Sequence, residues 1–131
     1  MYEELAMRGK RSLARAIEDY LTEWSERTGI TVEVWAMPKD RVTGPVADAV
    51  YAVVTEALTN VERHSGAHTV SIALTTGGAG LRLTVSDNGI GFPPGRTGRG
   101  MDLMKLRFSQ VGGVLTINSV VGEGTTVSGR I

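Results

Sequence analysis

From Ser12 onward the chain switches between helical and strand periodicities. Leu13, Ile17, Tyr20, Leu21 and Trp24 recur at steps of 4, 3, 1 and 3, which draws one apolar stripe down a helix. Ser12 suits the N-cap of that helix and Gly29 the left-handed residue that stops it. Over Ile30–Ala36 the period falls to two. Ile30, Val32 and Val34 are set against Thr31, Glu33 and Trp35, and Pro38 closes the strand. Trp24 and Trp35 are both expected to serve packing. Helical spacing returns after Pro45, a residue suited to a first turn. Val46, Val50, Val53, Val54, Ala57, Leu58 and Val61 mark its buried face, and Gly66 ends it. Two strands follow, Thr69–Thr76 and Leu81–Ser86, joined by Gly77-Gly78-Ala79-Gly80 as a hairpin. Asp87–Gly100 is a loop rich in glycine and proline. Met101–Gln110 is a short third helix with Met101, Met104 and Phe108 turned to the core, stopped at Gly112-Gly113. Val114–Ser119 and Thr125–Ile131 are two more strands around Gly122-Glu123-Gly124.

Three helices and five strands in this order, several strands in hairpins, predict an α/β fold: a two-layer sandwich with the helices on one face of the sheet. Strict strand–helix alternation is absent, which argues against a doubly wound sheet. Residues 1–11 carry no periodic pattern and are read as a tail, the end of a preceding segment. Residues 12–131 read as one domain without an internal repeat or linker.

Composition narrows the function classes. Lys and Arg number 14, and so do Asp and Glu, so the formal charge is zero, which disfavours a nucleic-acid binder or a polybasic membrane binder. Cysteine is absent, which excludes a disulfide scaffold, a thiolate metal site and a cysteine nucleophile. No apolar run approaches the roughly 18–20 residues of a membrane span. Of the 17 glycines, 13 lie from Gly77 onward, clustered without a repeat, so they point to special backbone positions.

Four clusters could carry chemistry. Glu56, Asn60, Arg63 and His64 fall at i, i+4, i+7 and i+8 on the second helix, offering a carboxylate, an amide, a guanidinium and an imidazole along one side. A solvated face with a Glu–Asn–Arg ladder would look the same. Asp87-Asn88-Gly89-Ile90-Gly91-Phe92 directly follows a strand. There Asp87 can accept from a ligand's amino group, or the segment can be a plain turn. Gly98-Arg99-Gly100 opens the third helix, where free N–H groups and the helix dipole favour phosphate. Gly122-Glu123-Gly124-Thr125-Thr126 is most simply a hairpin turn. His68 reads as an exposed strand-entry residue. Two histidines without a carboxylate pair make a poor zinc site, and the one Gly-Lys, Gly9-Lys10, is followed by Arg11 and not by the hydroxyl of a phosphate loop.

Taken in order, these clusters resemble the ATP-binding catalytic domain of bacterial sensor histidine kinases over about Val46 to Ile131. Glu56-Ala57-Leu58-Thr59-Asn60-Val61-Glu62-Arg63-His64 is similar to that family's asparagine box, Asp87–Phe92 to its first glycine box, and Gly98-Arg99-Gly100-Met101 to its second. Gly122-Glu123-Gly124-Thr125-Thr126 is similar to its closing Gly-Thr element. The wording Glu56-Ala57-Leu58-Thr59-Asn60 resembles the subfamily paired with LuxR-type response regulators. Gyrase and mismatch-repair ATPases share the superfamily fold. The resemblance implies a Bergerat-type sandwich with a mixed five-stranded sheet, and ATP with Mg²⁺ as cofactors.

The resemblance also implies roles. Asp87 accepts from the adenine amine, and Gly89 and Gly91 belong to the same ATP-binding loop, Gly91 letting the adenine edge lie close. Asn60 offers its amide oxygen to Mg²⁺. Arg63 and His64 face the phosphates, and Gly98 and Gly100 present N–H groups to them. Thr125 reaches the adenine side, and Glu56 is the base or polariser of the attacking group. The span Pro93-Pro94-Gly95-Arg96-Thr97 is a very short form of the family's lid, and Met101 and Leu103 depart from the second box. The phosphoacceptor histidine lies, in such kinases, on a separate dimerisation domain, so the chain reads as one domain of a larger kinase, inactive without that domain. Its partners would be that domain and, downstream, a response regulator, with no nucleic acid and no direct membrane contact. The setting would be cytoplasmic, whether or not the parent is anchored. An anti-sigma-type serine kinase of the same fold, and an ATP-gated interaction module without phosphotransfer, are the alternatives.

Overall fold

The computed structural model describes residues 12–42, 44–91 and 99–131. The expected tail over residues 1–11 and the short lid lie outside the described residues.

The first helix, α1 (Leu13–Thr28), begins and ends where its caps dictate. The Ser12 hydroxyl accepts from the Arg15 N–H at 3.1 Å, filling one of the donors a helix start leaves open. At the other end Gly29 takes φ 77° and its N–H donates to the Ser25 carbonyl, a left-handed stop that a side chain would strain. Leu13, Ala16, Ile17, Leu21 and Trp24 form the buried stripe. Strand β1 (Thr31–Ala36) follows. Next comes α2 (Gly44–Asn60), which is buried on nearly every side, through Ala47, Ala49, Val50, Tyr51, Val53, Val54, Thr55, Ala57 and Leu58. Its two threonine hydroxyls are satisfied within the helix, Thr55 donating to the Ala52 carbonyl at 3.0 Å and Thr59 to the Thr55 carbonyl at 2.9 Å. Tyr51 meets Tyr20 of α1 edge to face, ring centroids 6.0 Å apart, the arrangement the ring quadrupoles favour.

The remaining elements are β2 (Thr69–Gly77), β3 (Gly80–Asp87), α3 (Arg99–Ser109), β4 (Val114–Val120) and β5 (Gly124–Arg130). The five strands form one mixed sheet in the order β1-β2-β3-β5-β4. β1 and β2 pair in parallel, as the α2 crossover between them requires, and the other three pairings are antiparallel. The expected sandwich of three helices and five strands is therefore present, with element ends within a residue or two of the sequence reading. Val70, Ile72, Leu74, Leu81, Leu83, Val85, Leu115 and Val127 are buried with the apolar faces of the helices in one continuous core.

One packing expectation fails. Trp24 is 1% exposed, but Trp35 is 72% exposed. The alternation already sets Trp35 with Thr31 and Glu33, opposite Val32 and Val34, and on that outer face of the sheet it stands beside Ser71, Ala73, Thr84 and Ser86 at the rim of a groove of about 300 Å³. The β1–β2 register shifts between Val34 and Ala36 at the same point. Its indole N–H donates to Glu33 Oε1 at 3.3 Å.

The third helix is seated by glycine. Phe108 is fully buried, and its ring occupies the space that a Cβ on Gly129 of β5 would need. We expect Gly129→Ala to destabilise the chain by about 1–3 kcal/mol through overpacking, measured by chemical denaturation. Combining it with Phe108→Leu should cost less than the sum of the two single changes, because both act on the same contact.

Candidate functional site

The burial of α2 leaves one polar edge near its end. Glu56 and Asn60 are half-buried and one turn apart. The first turn of α3 closes over them because Gly100 has no side chain: a Cβ there would stand 2.6 Å from Glu56 Oε2 and 3.6 Å from Asn60 Oδ1. Two side-chain oxygens thus meet the backbone of a helix start, whose N–H groups have no partner within the helix.

The α-helical row stops at that point. Beyond Asn60 the chain winds as a π turn, Val61–Ser65, ended by Gly66 at φ 64°. With i→i+5 winding the turn holds an extra residue, so Arg63 and His64 do not continue the i, i+4 row that an unbroken helix would give. Arg63 is exposed. The His64 side chain and all of Gly98 lie outside the described residues.

A second group forms at the end of β3. Asp87 is opposite Thr125 in the β3–β5 register. Asp87 Oδ1 accepts from the Gly89 N–H at 2.8 Å, which folds the loop back on the carboxyl. Burial raises the Asp87 carboxyl above its ordinary value, against the lowering effect of the Gly89 and Thr125 N–H groups. The Thr125 hydroxyl shares a hydrogen bond of 2.9 Å with that of Ser119. Gly91 sits at φ 68°, and a Cβ there would run into the Val120 carbonyl. The Gly122 N–H donates to the Ile90 carbonyl at 2.7 Å. Gly91 thus has a reason within the fold to be glycine: the β4–β5 turn lies directly on its backbone.

Sequence reasoning missed the residue that joins the two groups. Asn88 Oδ1 accepts from the N–H groups of both His68 and Thr69, each at 3.0 Å. The Asp87 loop is thereby tied to the chain just after the π turn, so both groups belong to one end of the sheet. Asn88 reads as a turn residue, and a partner some 20 positions away leaves no local signal. Gly124, read from the sequence as part of a hairpin turn and of the closing Gly-Thr element, has a further role: a Cβ there would collide with the Asp87 carbonyl.

The chain is similar to known proteins over most of its length. Residues 46–131 match the sequence profile of the histidine kinase-, DNA gyrase B-, and HSP90-like ATPases. The chain belongs to that ATPase family. It is similar to the sensor histidine kinase LiaS of Bacillus subtilis, 34% identical over 124 residues, covering 92% of this chain and 34% of that protein. It is also similar to the sensor histidine kinase MctS of Rhizobium johnstonii, at 37% identity, covering 88% of this chain and 26% of that protein. The chain thus spans about a third or less of these relatives. Among solved structures, the Erythrobacter litoralis EL346 blue-light activated histidine kinase superposes with a TM-score of 0.77 at 25% identity, covering 98% of this chain and 44% of that one.

Within the ATPase family, the sandwich is the one the sequence predicted. No described helix is long and apolar enough to cross a membrane, and among the described residues no three His, Asp or Glu side chains gather as a metal cage.

The half-buried Asp87 makes a pH prediction. A carboxyl raised in the folded state ionises more readily in the unfolded chain, so folding stability falls as pH rises from its ordinary value near 3.8 through the folded value, and the loss is complete above that. Asp87→Asn removes this contribution. The stability of the variant relative to the native chain should therefore increase across that window and level off above it. Thermal melts of both proteins from pH 3 to pH 8, about one unit apart, would check this.

Proposed function

We propose that this chain is the ATP- and Mg²⁺-binding catalytic domain of a two-component sensor histidine kinase, which passes the γ-phosphoryl of ATP to a histidine on a separate dimerisation domain of its parent protein. The observation that carries the reading is the Asp87 loop. A half-buried carboxylate ends a strand, its loop fixed by Gly89 and Thr125, inside a segment matching the ATPase profile. A neutral amine donating to a charged acceptor there contributes roughly 1.5–3 kcal/mol, enough to select adenine.

The residues of α2 fit the rest of the ligand. Asn60 Oδ1 and Glu56 Oε2 supply oxygen at the Gly100 end of α3, and a hard cation such as Mg²⁺ takes oxygen ligands and retains waters. Asn60 would hold the metal, which neutralises phosphate charge when bound. Glu56 would polarise the attacking group. Arg63, His64 and the N–H groups of Gly98 and Gly100 would meet the phosphates, and Thr125 the adenine side. Phosphoryl transfer of this kind depends mostly on positioning and charge stabilisation. That both relatives carry the name sensor histidine kinase favours a histidine acceptor over the serine of an anti-sigma-type kinase. It also supports a cytoplasmic setting and a response regulator downstream, of LuxR type by the wording of Glu56–Asn60.

Calorimetry with and without Mg²⁺ tests this reading. Asp87→Asn should weaken ATP binding by at least about tenfold with the fold retained, and unchanged affinity would remove the adenine assignment. Asn60→Ala should reduce the gain in ATP affinity that Mg²⁺ brings. An equal gain in variant and native chain would return Asn60 to a structural role.

A further inference from the structure

The π turn that carries Arg63 is held from outside the site. Arg27, in the last turn of α1, spans 35 positions to Glu62: its two terminal nitrogens donate to the two carboxylate oxygens at 2.8 and 3.2 Å. This is the fork-to-fork geometry in which a guanidinium fixes the direction of a carboxylate as well as its position. Arg27 holds the Glu62 carboxyl below its ordinary value. The buried Trp24 indole N–H, which makes no hydrogen bond at normal range, and the neighbouring Arg63 add weaker pulls.

Both ends of this contact are specific. On the α1 side the support is rigid. Trp24 is buried, the Thr28 hydroxyl donates to the Trp24 carbonyl at 2.8 Å and the Ser25 hydroxyl to the Ile30 carbonyl at 2.6 Å, and Gly29 caps the helix. On the other side the turn departs from α winding at Val61 and is left at Gly66, after which Asn88 takes up the N–H groups of His68 and Thr69. Glu62 lies in the stretch between those two fixed points. A π turn competes with the ordinary helix that would otherwise continue, so a side-chain anchor within it selects between two windings. The pair itself is exposed, with half of the Arg27 side chain and a third of that of Glu62 open to solvent. Such pairs add little to global stability.

We propose that Arg27 and Glu62 form a clasp that sets the winding of Val61–Ser65 and so orients the neighbouring Arg63 toward the phosphates of a bound nucleotide. Arg27 is then a positioning residue that never touches the ligand. The inference rests on the nucleotide reading of the site given above.

The test compares the native chain with Arg27→Ala, Arg27→Lys and the charge swap Arg27→Glu with Glu62→Arg. Three readouts are taken: amide hydrogen exchange at Arg63–Ser65, calorimetric affinity for ATP with excess Mg²⁺, and the melting temperature. Arg27→Ala should speed exchange at those amides and weaken ATP binding by roughly tenfold, the low end of what loss of an orienting partner costs, while the melt barely moves. Arg27→Lys keeps the charge but not the fork, and should restore only part of either. The swap should recover the slow exchange. Unchanged exchange in Arg27→Ala overturns the clasp, as does a lysine variant indistinguishable from native, which would reduce Arg27 to its charge. Loss of stability in step with affinity, unrescued by the swap, would make the pair a packing contact and also overturn it. Failure of the native chain to bind ATP overturns the nucleotide reading instead, and the exchange rates then decide the clasp alone.

Discussion

Residue 124 has no side chain, and the rest of the site depends on that. At φ 118° its α-carbon lies against the Asp87 carbonyl, where any Cβ would collide. This approach lets β5 begin in register with the end of β3. From it follow the Thr125 N–H that helps hold the carboxyl of Asp87, the Ser119–Thr125 hydroxyl pair, and the seating of the β4–β5 turn on Ile90 and Gly91. A bulky residue at 124 would not remove any one of these contacts. It would lift the hairpin away from the loop and loosen them together.

A second constraint concerns polar groups in a nearly all-buried helix. α2 lies under α1, α3 and the sheet, so its polar side chains need partners: Thr55 and Thr59 bond back to carbonyls of the helix itself, and others lie along one edge. That edge ends in Glu56 and Asn60. Their half-burial strengthens their interactions with charge, since they are partly withdrawn from water, while access to a ligand is retained. The cost of carrying such groups is met by apolar packing on the remaining faces.

What was legible in the sequence was local. The caps Ser12, Gly29 and Gly66, the Gly77–Gly80 hairpin and the apolar stripes each follow from neighbours a few positions away, and each appears where expected. The order of the four motifs was legible for a different reason: similarity of wording to a known family. The failures were non-local. Nothing in Val61–Ser65 announces that the winding changes, because the cause includes an arginine on another helix. The alternation of β1 puts Trp35 on the face with Thr31 and Glu33, and that no described element of the chain covers that face at Trp35 is visible only in the assembled sheet. Asn88 looks like any turn residue until its two donors come into view.

The outward turn of Trp35 makes the two tryptophans of this chain unequal as optical reporters. Trp35 already stands in water, so its emission carries little information about folding. Trp24 is enclosed beside the carboxylate of Glu62, in the apolar surroundings that shift indole fluorescence to shorter wavelength. With Trp35 replaced by phenylalanine at the strand's exposed position, the remaining signal would come from the junction of α1 and the π turn. A chain with no engineered label would then report optically on the one segment whose winding its sequence conceals.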